Sequence, residues 1–154
     1  MVGVMTVMNL DKLDVSVRAK DFALAVYKEV VPHLPNDEKW NLAQQLKRAA
    51  QSIPANIAEG HGRFHFLDNV RFCYIARGSL TEVQSHISLA YELDYLSDEI
   101  YNHMTTNAEL IGKQLNNYIA YLKRSKQGEK EYPAGHTLRE ESELYILENQ
   151  EEDN

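Results

Sequence analysis

The chain has 154 residues, enough for one domain and a tail, and its 7 Gly and 4 Pro are too few for the many tight turns of an all-β protein. Charges interrupt every apolar stretch, no basic residue precedes Lys12, and Cys73 is the single cysteine. We therefore expect a cytoplasmic protein without membrane spans, signal peptide or internal disulfide. The net charge of −7 lies wholly in residues 127–154, which hold 2 Lys/Arg and 9 Asp/Glu, whereas residues 1–126 hold 14 of each.

Two helices are predicted in the first part of the chain. The first covers residues 15–31, has an apolar stripe at helical spacing, and ends at Pro32. The second opens at Asn36, a good N-cap, and ends at Gly60 and Gly62. The stripes are Ala19, Phe22, Ala23, Val26 and Val30 in the first helix, and Leu42, Leu46, Ala49, Ala50, Ile53 and Ile57 in the second.

Two longer helices follow. The third begins between Phe66 and Asp68 and ends near Tyr95, and the fourth begins at Ser97. Both have the heptad spacing that is typical of a left-handed bundle. Their stripes are Cys73, Ala76, Leu80, Val83, Ile87 and Ala90 in the third helix, and Ile100, Met104, Ala108, Ile111, Leu115, Tyr118 and Leu122 in the fourth.

These patterns predict an all-α fold, an antiparallel up-down four-helix bundle over residues 15–126. A flexible N-terminus, residues 1–14, precedes it, and an acidic, disordered tail, residues 127–154, follows it. Within the tail, Thr137 and Glu140 have the spacing of a capping box. The tail is therefore either a solvated segment that forms a helix transiently or a segment that folds onto a partner.

Enzymatic and metal-binding classes find little support. The di-iron bundles need Glu-x-x-His pairs, but Glu82 and His86, like Glu99 and His103, are one residue too far apart. His61 and His65 straddle a glycine-rich turn, and Cys73 on a helix seam is expected to be a buried, inert thiol. We expect no catalytic residues, no metal and no cofactor, although a bundle enzyme with a metal or small-molecule site remains the weakest of three hypotheses.

Two stretches are unusual on physical grounds, SIPANIAEGHGR at residues 52–63 and RFCYIARGSL at residues 71–80. Pro54 lies inside a stripe that continues in phase, which predicts a kinked helix. Ser52 and Asn56 are expected to satisfy backbone groups at the kink, and Glu59 to pair with Arg63, with Arg77 or with a neighbouring subunit. Gly78 in mid-helix costs about 1 kcal/mol relative to Ala, which suggests that another helix approaches closely there.

The sequence resembles a known family at these positions. SIPANIAEGHGR, followed by RFCYIARGSLTEVQSHISLA, closely resembles the four-helix bundle proteins encoded in intervening sequences of bacterial large-subunit ribosomal RNA genes. That family includes the accessory variability protein of diversity-generating retroelements, which works with a reverse transcriptase and its template RNA. The likeness covers about residues 17–126. Its motif positions in this chain are Ser52, Pro54, Asn56, Glu59, Gly60, Arg63, Arg77 and Gly78.

The resemblance implies a bundle that assembles into a homopentameric ring. It also implies binding of RNA or DNA, or of a reverse transcriptase, for the retroelement branch, whereas the function of the ribosomal-gene branch is itself unclear. Ser52, Pro54, Asn56, Glu59, Gly60 and Gly78 are then structural or oligomer positions. This chain departs from the markedly basic retroelement proteins, because its body is neutral and its tail is acidic.

Basic side chains are the candidate nucleic-acid-binding residues, and a ring would multiply a modest patch. Lys47 and Arg48 lie off the stripe of their helix and are expected to face outward. The first hypothesis is an oligomeric nucleic-acid-associated accessory protein, and the second is a protein-binding scaffold whose acidic tail recruits a partner. The candidates are Arg18, Lys20, Lys47, Arg48, Arg63, Arg71, Arg77, Lys123 and Arg124.

Overall fold

The computed structural model describes residues 13–63 and 65–125. The predicted N-terminal segment up to residue 12 and the acidic tail lie outside these residues. The described part is helical with connecting turns and contains no strand. Its four helices are α1 (Asp14–Ala25), α2 (Leu42–His61), α3 (Phe66–Glu92) and α4 (Asp98–Arg124).

Each helix runs antiparallel to the next, as contacts at their two ends demonstrate. Ser52 of α2 lies 2.8 Å from Ser79 of α3, between the side-chain oxygens, while the later Gly60 approaches the earlier Asn69. Lys123 near the end of α4 donates to the Tyr74 hydroxyl near the start of α3, at 2.7 Å. The helices therefore surround one core in the order α1, α2, α3, α4, which confirms the predicted four-helix bundle.

The four apolar stripes form that core. Every predicted stripe residue is buried except Ile100, which is partly buried and packs against the cluster. Leu46, Ile53, Val83, Met104 and Leu115 have no exposed surface. Since burying such a side chain contributes roughly 1.5–3 kcal/mol, the seams supply the main stabilisation of the fold.

Helix ends differ from the predictions in two places. After Ala25 the helix widens into a π-helical turn, Val26–Val30, and then tightens into a 3₁₀ turn, Val31–His33, before Pro35. The prediction that Asn36 caps α2 is wrong, because a short 3₁₀ turn occupies Asn36–Glu38 and α2 starts only at Leu42. The Glu38 carboxylate caps the helix instead, accepting from the Leu42 amide at 3.2 Å. The fourth helix, predicted to begin at Ser97, begins at Asp98, and Ser97 is its N-cap, since the Ser97 hydroxyl accepts from the Ile100 amide.

The two motif glycines play different roles in the subunit. Gly60 was expected to end α2, but it is buried inside the helix. A Cβ there would lie 2.8 Å from the Phe72 Cβ and 3.0 Å from the Asn69 carbonyl oxygen, so any side chain at this position would force α2 and α3 to shift. A Cβ at Gly78 would meet no atom of another helix within 4 Å. The close approach predicted at Gly78 is therefore absent within the described subunit and occurs at Gly60.

Pro54 leaves α2 uninterrupted from Leu42 to His61, as its in-phase stripe predicted. The Asn56 side-chain amide donates to the Ser52 carbonyl at 2.8 Å and to the Ser52 hydroxyl at 2.9 Å. The Ser52 hydroxyl in turn meets that of Ser79 on α3. These motif side chains thus join the proline-containing part of α2 to α3.

Candidate nucleic-acid interface

The antiparallel arrangement sorts the charges along the bundle axis. We define the basic half as residues 13–23, 52–63, 65–78 and 112–125, the part that contains both the start of α1 and the end of α4. It holds eight Lys/Arg and four Asp/Glu, a net of +4. The acidic half, residues 24–51 and 79–111, holds four Lys/Arg and nine Asp/Glu, a net of −5. A body that is nearly neutral by composition is therefore strongly polarised in three dimensions.

The predicted nucleic-acid-binding residues divide unevenly between these halves. Only Lys47 and Arg48 lie in the acidic half, where Arg48 is exposed as predicted and the half-buried Lys47 ammonium sits 5.5 Å from the centre of the Tyr27 ring. The structure thus separates this pair from the other candidates. The seven in the basic half are Arg18, Lys20, Arg63, Arg71, Arg77, Lys123 and Arg124.

A tyrosine between two cations forms the centre of the candidate interface. The Lys123 ammonium lies 5.3 Å from the centre of the Tyr74 ring, and the Arg77 guanidinium lies 4.9 Å from it. Arg77 also donates to the Asn116 side-chain oxygen at 3.3 Å. The Lys123 contact is a hydrogen bond to the hydroxyl edge of the ring, and the Arg77 contact is a cation–aromatic attraction. Together they hold two long side chains in one region across α3 and α4.

The remaining basic residues have more local partners. Arg63 forms an ion pair with Glu59, as predicted, and its guanidinium lies 5.0 Å from the centre of the Phe72 ring. Arg71 lies 3.7 Å from Asp68, with 68% of its side chain exposed. Exposed pairs of this kind contribute little to stability, so these cations stay accessible to a phosphate.

Several residues at this end were not singled out from the sequence. Tyr121 is 58% exposed, stacks at 6.4 Å on Tyr118, and lies three residues before Arg124, so the two share a helix face. Lys113 adds a further cation to the basic half. An exposed aromatic beside basic residues is the combination that single-stranded nucleic acids use for stacking and charge neutralisation. The sequence contains this combination of aromatic and basic residues in the run YIAYLKR at residues 118–124.

A small polar network lies beneath this surface. The buried Asn69 side chain donates to the Tyr118 hydroxyl at 3.0 Å and accepts from the Cys73 thiol at 3.6 Å. Burial raises the pKa of the Cys73 thiol to about 12. The predicted burial of Cys73 is confirmed, and the raised pKa keeps the thiol protonated over a wider pH range than that of an exposed cysteine.

The other predicted chemistry stays dispersed. His86 lies 3.5 Å from Glu82, and His103 lies 3.7 Å from Glu29. Among residues 13–63 and 65–125, no three His, Cys, Asp or Glu side chains gather as a metal site would require. A groove of about 300 Å³ between α1 and α4 is lined by Arg18, Phe22, Glu29 and His103 among others. No described helix has both the length and the apolar composition needed to cross a bilayer.

Comparison with known proteins identifies the fold family. The family model described as 23S rRNA-intervening sequence protein matches residues 11–117. The chain belongs to this family. A protein of unknown function from the S23 ribosomal protein family of Bacteroides thetaiotaomicron has a similar structure, with a TM-score of 0.63 and 24% identity over 68% of this chain and 97% of that chain. At that identity the similarity concerns the fold alone. No curated protein matches the chain.

Membership of the 23S rRNA-intervening sequence protein family confirms the resemblance seen at residues 52–63 and 71–90. The matched range includes all of α1, α2 and α3 and most of α4, so the bundle is the family's unit. The two family motifs meet across α2 and α3, at Ser52 with Ser79 and at Gly60 with Phe72. The two motif segments are therefore the parts of α2 and α3 that contact each other closely.

Proposed function

We propose that the chain is a non-enzymatic, oligomeric accessory protein of the cytoplasm that binds RNA or DNA through its basic half. In the role suggested by the retroelement resemblance, it would present a nucleic acid to a reverse transcriptase. The observation that carries the proposal is the concentration of seven candidate cations in a half with a net charge of +4. Phosphate contacts supply most of the affinity of nonspecific nucleic-acid binding.

Side-chain geometry adds to the charge argument. Arg77 and Lys123 are held together by Tyr74, so less conformational entropy is lost when they contact phosphates. Tyr121 offers an exposed ring on which an unpaired base can stack. The surface therefore suits a flexible single strand, whose bases are free to reach an aromatic ring.

Assembly into a pentameric ring is the second part of the proposal. The outward side of α3 carries Ile75 and Leu89, each 50% exposed, with the open Gly78 between them. A second subunit that covers this side would remove apolar surface from water and would explain the glycine. We expect Ile75→Asp to dissociate the assembly in light scattering, whereas Leu110→Asp on α4, where Leu110 is 43% exposed, leaves its mass unchanged.

A pair of double variants tests nucleic-acid binding. Arg77→Gln with Lys123→Gln should weaken binding of a single-stranded RNA by about tenfold near 50 mM salt, because two phosphate contacts are lost. Lys47→Gln with Arg48→Gln removes the same charge from the acidic half and should change affinity less than about threefold. Filter binding measures both, after circular dichroism confirms that both are folded. Equal losses in the two variants would show that the basic half is not the site.

A protein-binding scaffold is the alternative function, and the acidic half favours it. Trp40 is 76% exposed in the turn before α2, in the half with a net charge of −5. Exposed tryptophans are common anchors of protein interfaces, and the surrounding charge suits a basic partner such as a nucleic-acid enzyme. Trp40→Ala should abolish co-purification of such a partner while RNA binding persists. Loss of RNA binding in the same variant would argue against separate surfaces.

A further inference from the structure

We propose that the acidic tail, residues 127–154, docks on the basic half of its own bundle and competes there with nucleic acid. The docking follows from the position and charge of the two parts. The competition rests on the proposed function. In the docked state, an RNA would have to displace the tail before it could bind the basic half.

The first argument is position. α4 ends at Arg124, and Lys123 contacts Tyr74 in the first half of α3, so the C-terminal end of α4 lies within the basic half. The tail therefore begins at the surface that we propose as its binding site. If these 28 residues behaved as a flexible chain, their root-mean-square span would be about 30 Å. One half of a 27-residue helix is only about 20 Å long, so this span covers the whole basic half.

The second argument is charge. The tail holds 2 Lys/Arg and 9 Asp/Glu, a net of −7, and the basic half has a net of +4. The acidic half repels the tail, since its own net charge is −5. A tether of this length also gives an effective concentration near the millimolar range, so even weak pairing populates the docked state. Position and charge thus select the same end of the bundle.

The consequence for nucleic-acid binding is a loss of affinity at low salt. Tail carboxylates and RNA phosphates compete for the same cations, and the tethered competitor is always present. Raising the salt concentration weakens both contacts, because both depend on screened charge. The chain should therefore bind RNA less tightly, and with a shallower salt dependence, than its bundle alone would.

Two full-length variants with equal charge changes test the docking. In the tail variant, Glu140, Glu141, Glu143 and Glu148 become Gln. In the control variant, the same change is made at the acidic-half residues Glu82, Glu92, Glu99 and Glu109. Backbone amide chemical shifts are compared with those of the natural chain, near 50 mM and near 500 mM salt.

We expect the tail variant to shift the amides of Arg77, Lys123 and Arg124 at low salt but not at high salt. The control variant should leave these three unchanged. The tail variant should also bind a single-stranded RNA about tenfold more tightly than the natural chain at low salt, a typical coupling between two competing ligands. Unchanged amides at low salt would overturn the docking, whatever the RNA result. Shifted amides with no RNA binding by any of the three proteins would support docking and overturn the proposed function.

Discussion

The basic and acidic halves of this bundle share one fold but differ in what lies beneath their surfaces. In the acidic half the core is aliphatic, with Leu46, Val83 and Met104 fully buried. In the basic half, Asn69, Cys73 and Tyr118 form a buried hydrogen-bonded network next to the glycine contact of α2 and α3. Such a network has one satisfied geometry, so it fixes the helices that carry the exposed cations more specifically than apolar packing would.

The difference also explains how a neutral composition can conceal a binding surface. The described residues hold 12 Lys/Arg and 13 Asp/Glu, yet the two halves differ by nine charges. Antiparallel neighbours bring the start of α3 and the end of α4 together, and each contributes cations there. The charge that a ligand meets is set by this topology and not by the total.

The largest expected effect is a pH dependence of the free energy of unfolding, caused by the thiol buried in the basic half. Burial raises the pKa of Cys73 from 9.0 to about 12 in the folded chain. Between these two pKa values the folded state binds more protons than the unfolded state. The thiol's contribution to the free energy of unfolding is therefore fully present below about pH 9 and is lost as the pH rises. We expect a loss of about 2–3 kcal/mol between about pH 8 and pH 11. Urea unfolding at several pH values measures it.

Cys73→Ala provides the control for that measurement. Burial also raises the pKa of Tyr118, so part of the loss at high pH persists in the variant. The free energy of unfolding is plotted against pH for the natural chain and for Cys73→Ala. The difference between the two slopes is the contribution of the thiol. Parallel slopes for the natural chain and Cys73→Ala would mean that the thiol ionises freely in the folded protein, against the buried network described here.

Alanine substitutions at the two motif glycines are expected to have smaller effects on stability, and the two effects should have opposite signs. Gly60→Ala inserts a methyl group 2.8 Å from the Phe72 Cβ, and overpacking of this kind costs about 1–3 kcal/mol, against about 1 kcal/mol gained in helix propensity. Gly78→Ala meets open space and should gain about 0.5–1 kcal/mol in the monomer. Thermal unfolding compares both variants in the Ile75→Asp background, which is expected to be monomeric. Stabilisation by both would mean that α2 and α3 do not need a glycine at their crossing.

These glycines mark where sequence reasoning succeeded and where it stopped. Local periodicity predicted the four stripes, because helix burial repeats every three to four residues within one segment. Whether Gly60 or Gly78 meets another helix depends on the register between α2 and α3, which no single segment contains. The same reason applies to the cap of α2, where Glu38 replaces Asn36 after an intervening turn.

The sequence identified the basic residues of the candidate site, but it did not show which of them lie together in the folded chain. Arg63, Arg77 and Lys123 were recognised individually as basic residues. Their common location depends on the antiparallel order of distant helices, and residue type alone cannot separate Lys47 and Arg48 from them. Tyr74 and Tyr121 were overlooked because neither is charged and neither belongs to a predicted apolar stripe. The contact of Tyr74 with Arg77 and the exposure of Tyr121 are properties of the folded chain.

The smallest expected effect on stability tests whether the surface charge of the basic half acts on ligands alone. Arg71 is 68% exposed and lies 3.7 Å from Asp68, so Arg71→Gln should change the free energy of unfolding by less than about 0.5 kcal/mol. If Arg71 contacts one phosphate, the same variant lowers the slope of log affinity against log salt by about 0.7 for single-stranded RNA. Lys39→Gln is the matched control, an exposed cation of the acidic half beside Trp40, and should leave the slope unchanged. Equal slopes for Arg71→Gln and the natural chain would place the phosphates away from the start of α3, and would confine the interface to the cations around Tyr74.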